Sequence, residues 1–165
     1  MKQLILCMLA IVFLATSCKK DSNNTPDENY YFTAKIDGVD YSADVTSAST
    51  YVINHHGSLL TISAALPTVT DGVFLANLSG YTGEQSYTVG TGGGTSYGRY
   101  TTGSVGDGTY SSWKAETPGS TTTGVFVIAK DDGSVVEGTF QFDGYSEEAK
   151  TTKKITDGKF RLKRK

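Results

Sequence analysis

From Tyr30 to Lys165 apolar and polar residues alternate with a period of two, and Asp-Gly pairs interrupt the alternation at 37, 71, 107, 132, 143 and 157. A period of two sends successive side chains to opposite faces of a strand. Asp-Gly supplies the left-handed backbone that a tight hairpin demands. In 31–36, for example, Phe32, Ala34 and Ile36 share one face, and Asp37-Gly38 ends the run. Further runs fall at 39–45, 51–54, 59–64, 73–78, 86–89, 96–101, 109–116, 125–129, 135–142 and 155–162. No stretch of helical length places apolar residues every three or four positions. The pattern predicts ten or eleven short strands in one all-β domain over residues 30–165. Strands joined this way make a single antiparallel β-sandwich of about ten strands, or alternatively a partly closed, lipocalin-like β-barrel. Phe32, Ile36, Ile62, Phe126, Ile128, Phe140 and Phe160 are the expected core.

Composition agrees. Glycine (19) and tyrosine (10) are abundant, while only 19% of residues are charged. That is the make-up of strands and turns. A disordered chain would carry fewer aromatics and a net charge further from zero than −2.

The first seventeen residues differ. Lys2 is followed by an unbroken apolar run over 4–14, then the small residues Ala15, Thr16 and Ser17. That order reads as a secretory signal peptide, 1–17. The run is too short for a permanent span, which needs about 20 apolar residues. The stretch Leu14-Ala15-Thr16-Ser17-Cys18 resembles the lipobox of bacterial lipoproteins, with Leu14 one place further from the cysteine than in the commonest form. The resemblance implies that the Cys18 thiol carries the lipid and that the chain is cut just before it. Cys7 would leave with the signal peptide, so the exported domain has neither a disulfide nor a cysteine-ligated metal. Residues 18–29 are the lipidated cysteine and a polar tether with nothing to bury. The expected address is the cell envelope, lipid-anchored to the outer membrane on its periplasmic or its outer face.

Three segments carry a wider resemblance: Tyr31-Phe32-Thr33-Ala34-Lys35-Ile36-Asp37-Gly38-Val39-Asp40-Tyr41, Val136-Glu137-Gly138-Thr139-Phe140-Gln141-Phe142 and Ile155-Thr156-Asp157-Gly158-Lys159-Phe160. Together they resemble a family of Bacteroidota lipoproteins that pair a lipobox with an F-x-A-x-I-D-G-x-x-Y opening and a closing I-x-x-G-x-F strand. The resemblance implies fold and address. It brings no catalytic residues, because its motifs are turn glycines and core aromatics.

Candidate sites are few. His55 and His56 are the only histidines, and adjacent residues on a strand face opposite ways, so turn residues suit them better than metal ligands. The glycine-rich stretch 89–96 lacks the Gly-Lys-Ser/Thr ending of a phosphate loop. Asp131 and Asp132 lack the spaced carboxylates of a calcium loop and read as turn formers. No G-x-S-x-G motif is present. Tyr81, Tyr87, Tyr97, Tyr100, Tyr110 and Trp113 gather in the middle third. Flat aromatic faces with polar neighbours suit a carbohydrate or protein ligand. Alternation puts Tyr97 with Arg99 on one face and Tyr100 on the other, so only one of the two tyrosines can join Trp113 in a site built from Tyr97, Tyr100 and Trp113. No cofactor or metal is expected.

Residues 150–165 hold eight basic groups and one acidic group, against six basic and sixteen acidic in 19–149. The basic end suits anionic lipid head groups, or an edge strand whose lysines block sheet-to-sheet pairing. Nucleic acid is not an expected partner in the envelope. Three functional classes remain. The first is a non-catalytic, lipid-anchored binding or structural module, its membrane contact made through the anchor. The second is a glycan-binding accessory lipoprotein. The third is a hydrolase using carboxylates such as Glu84, Glu116 and Glu137.

Overall fold

The computed structural model describes residues 30–55, 57–66, 72–90, 96–104, 106, 108–115 and 123–165. These form eleven strands: β1 (Tyr31–Ile36), β2 (Val39–Ser42), β3 (Tyr51–His55), β4 (Leu59–Ala65), β5 (Val73–Ser79), β6 (Ser86–Val89), β7 (Tyr97–Thr102), β8 (Ser111–Lys114), β9 (Gly124–Asp131), β10 (Val135–Ser146) and β11 (Thr151–Lys163). The chain is all-β, and neighbouring strands pair antiparallel.

Nine strands follow one path, β2-β1-β11-β10-β8-β7-β5-β4-β3, and β9 and β6 branch from β10. The path curls into a half-barrel. Phe32 on β1 and Phe74 on β5 have four strands between them along the sheet, yet their rings lie 5.3 Å apart. On a flat sheet, with strands about 4.8 Å apart, they would be about 24 Å from each other. The two halves of the sheet therefore face each other across a shared interior.

The curl depends on the two longest strands. Along one edge of β10, residues 136–142 pair with β9, and beyond them Tyr145 pairs with Lys114 of β8. Along one edge of β11, residues 155–161 pair with β1, and just past the strand Arg164 bridges to Val52 of β3. Each long strand thus belongs to both halves. The backbone of Lys165 donates to Val52 O at 2.8 Å and that of Arg164 to Ser134 O, so the chain end closes one corner.

Two Asp-Gly pairs do not make turns. Asp143-Gly144 lies inside β10 and Asp157-Gly158 inside β11. At these sites the glycine provides space. A Cβ on Gly158 would meet Phe140 O at 2.4 Å, and one on Gly144 would meet the Trp113 Cβ at 3.0 Å. Asp157 is left-handed (φ 52) and marks a bulge, where the β1–β11 register shifts between Thr33 and Lys35. The hairpin expectation holds at Asp37-Gly38, where both residues have positive φ. The basic terminal strand is also not an edge: β11 is paired on both sides.

The interior is a continuous aromatic cluster. Phe32, Phe74, Phe126, Phe140, Phe142, Phe160, Tyr41 and Tyr100 are buried and in ring contact with one another. Of the expected core, only Ile36 is partly exposed, packed on the cluster's margin. Phe140 sits at its centre, within 6.5 Å of five other phenylalanine rings. Phe140→Ala is expected to cost about 3–5 kcal/mol, read as a lower denaturant midpoint at unchanged slope. Val39→Thr, on a side chain 70% exposed, is expected to leave the midpoint within about 0.5 kcal/mol.

Candidate functional site

Tyr100 and Trp113 face each other across β7 and β8, and both point inward. They are 6% and 7% exposed, and their rings stack with centroids 6.0 Å apart. Trp113 Nε1 donates to Thr151 Oγ1 at 3.1 Å, and the Lys153 ammonium caps the ring at 4.8 Å. These two side chains belong to the core and its lid. Tyr97 lies on the opposite, outer face of β7, where its hydroxyl accepts from Asn77 Nδ2 at 2.9 Å. The structure does not bring the three into one platform. Tyr81 and Tyr87 are likewise buried and stack at 5.4 Å.

The outer face of β7 and β8 carries different chemistry. Alternation turns Tyr97, Arg99 and Thr101 outward on β7, and Ser112 and Lys114 outward on β8. Arg99 stands directly opposite Lys114, and Thr101 opposite Ser112. The next strand adds Tyr145, opposite Lys114. Neither cation has an ion-pair partner among the described residues. Arg99 Nε and Ser112 Oγ are buried and have no hydrogen-bond partner. A buried donor left unpaired costs about 1–3 kcal/mol, and like charges placed directly opposite are themselves destabilising. Sequence reasoning placed Tyr97 and Arg99 together correctly. It missed that Lys114 would face them, because register is not visible in a run of residues.

A second polar group ties the fold. The Tyr81 hydroxyl donates to Asp131 Oδ2 at 2.5 Å, the Arg164 guanidinium binds the same oxygen, and Asp131 Oδ1 accepts from Gly133 N. Glu84 accepts from the Asp131 backbone at 3.0 Å. Asp131 is 9% exposed at its side chain. Both Asp131 carboxylate oxygens are occupied, and the cluster joins the loop before β6, the end of β9 and the C-terminus as a clamp, with Arg164 Nε left buried and unpartnered. Burial, then Asp131, pushes the Tyr81 hydroxyl well above its ordinary value, so it stays a donor.

Glu137 is held by Arg161 at 2.6 Å. Among the described residues no three His, Cys, Asp or Glu side chains converge. Shallow grooves of about 470 and 250 Å³ lie on the outer face of β1, β2 and β11 and over the β10–β11 bulge. A third, of about 540 Å³, runs beside Tyr30 and the C-terminus. Cys18, His56, the glycine-rich residues 91–95 and Glu116 lie outside the described residues. No protein-family model matches the chain, and no curated protein or solved structure matches it.

Two buried tyrosines make the fold alkali-sensitive. Tyr41 is raised above the ordinary value of 10 by burial and then by Tyr100, and its hydroxyl reaches Ala64 O and Gly72 O on the facing half. Both tyrosines are held protonated by folding, so their contribution is intact below pH 10. It is lost as pH rises through 10 and up to their folded values. Each should lower stability by about 1.4 kcal/mol per pH unit in that range. Tyr41→Phe should flatten this decline in denaturant titrations between pH 9 and 12, and an unchanged slope would assign it elsewhere.

Proposed function

We propose that this chain is a lipid-anchored protein of the cell envelope, a non-catalytic β-module that displays its outer faces for binding or for structural contact. The Cys18 stretch carries the anchor: an apolar run too short to span, small residues, then the only cysteine outside that run. The solid interior supports the display of outer faces. Among the described residues, aromatic rings meet between the facing halves, where a lipocalin-like barrel would hold a ligand. In the Tyr81–Asp131–Arg164 group both carboxylate oxygens of Asp131 are taken by the chain's own donors, as in a structural clamp. β1 begins opposite Arg161, beside the C-terminal corner, so a tether over 18–29 would leave the domain there.

The experiment is metabolic labelling with a palmitate analogue, followed by separation of membrane and soluble fractions. The natural chain should label and sediment with the membrane. Cys18→Ala should lose both properties while keeping its melting temperature, since residue 18 precedes the folded domain. Label that survives the substitution would refute the anchor.

A further inference from the structure

We propose that Arg99 and Lys114 form an oxyanion site on the outer face of β7 and β8 that takes an acidic carbohydrate, one bearing carboxylate or sulfate groups on its sugar rings. Between Lys35 and Lys130 these two are the only lysine or arginine residues, in a stretch that also holds seven acidic groups. The register nevertheless sets them directly opposite each other and pairs neither with an acid among the described residues. Elsewhere in the molecule Lys35, Lys130, Lys153 and Arg161 each hold a carboxylate. Side chains directly opposite on an antiparallel pair have Cβ atoms about 5 Å apart. One oxyanion can therefore lie between guanidinium and ammonium and relieve their repulsion.

The neighbours complete the chemistry. Arg99 Nε and Ser112 Oγ have no hydrogen-bond partner and are closed to solvent, so an acceptor on this face reaches them only as the side chains turn outward. Arginine matches the two oxygens of a carboxylate or sulfate with parallel donors. Tyr97 and Tyr145, half-buried on the same face, offer ring surfaces to a sugar on either side. Position argues for a polymer rather than the protein's own membrane, and this step alone rests on the anchor proposed above. β1 begins at Tyr31, level with Arg161 and Glu137, and a tether ending at residue 29 would join there. Tyr145, beside Lys114, lies eight residues further along β10, about 27 Å away at the rise of a strand.

The test is calorimetric titration of the full chain in detergent micelles. The probes are an oligogalacturonate, a sulfated oligosaccharide of similar length and a neutral maltooligosaccharide, with vesicles of phosphatidylglycerol in phosphatidylcholine titrated separately into the Cys18→Ala chain without detergent. Binding of either acidic sugar, weakened by added salt and absent for the neutral one, supports the site, and the tighter of the two names its anion. Arg99→Gln should weaken that binding at least tenfold and Lys114→Gln several-fold, with melting temperatures no lower than the natural chain's, since either change relieves the repulsion. Lys114 is exposed, so its variant tests the site even if Arg99→Gln does not fold. Equal binding of the neutral sugar, no binding of any sugar, or natural affinity in both variants would overturn the proposal. So would binding to the vesicles alone, which would assign the face to a membrane. The Cys18→Ala chain should bind the sugars as the natural chain does, so a failed anchor and a failed site are told apart.

Discussion

The fold depends on two strands being longer than their partners. β10 and β11 pair with each other over their whole length, from Val135 opposite Lys163 to Ser146 opposite Thr151, and each offers its other edge to further neighbours. β10 gives most of one edge to β9 and its end to β8; β11 gives most of one edge to β1, and the chain end just beyond it reaches β3. Without those extensions the two halves would be separate sheets, held only by side chains. With them the backbone turns two corners, and Phe32, Phe74 and Phe140 meet across the interior. Bulges at 156–158 let these strands bend without losing their pairing.

Packing imposes a second demand on the same strands. A half-barrel filled with phenylalanine has little room where rings from both halves converge, and inward glycines supply it. A Cβ on Gly98 would come within 3.3 Å of both Phe126 and Phe142, and one on Gly138 would meet Val127 O at 2.1 Å. Glycine in a strand weakens the ladder locally. Here each such glycine adjoins a ring that the core needs.

These demands explain what the sequence made legible. Alternation is a local property, so the runs, the inward faces of Phe32, Ile62, Phe126 and Phe160, and the all-β class could all be read from neighbouring residues. Asp-Gly is ambiguous because glycine serves turns and close approaches alike. At Asp37-Gly38 it turns the chain, whereas at Asp143-Gly144 and Asp157-Gly158 it admits Trp113 and Phe140. Reading Asp143-Gly144 as a turn ended the expected run at 142 and cut β10 short, and the expected 155–162 run missed the first four residues of β11. The lysines of the basic terminal segment made it look like an edge, although β11 is paired on both sides. The alternation of Tyr97 and Tyr100 was legible, but which of the two faced solvent was not. That depends on which half of the sheet closes over β7.

A filled interior also constrains where recognition can occur. Rings occupy the space between the halves among the described residues, which turns attention to the outer faces, and these differ in how their charges are resolved. Around β1, β10 and β11, cations sit beside carboxylates: Lys35 on Asp157, Arg161 on Glu137. Such exposed or half-exposed pairs add little stability, but they leave the surface electrically settled. Around β7 and β8 the reverse holds. Arg99 and Lys114 repel across a ladder, and the chain places none of its described acids against them. An arrangement that costs stability in the isolated fold is maintained more readily if something outside the fold offsets the cost. Here the missing component is negative, accepts hydrogen bonds and lies against tyrosine, three properties that an acidic sugar unites.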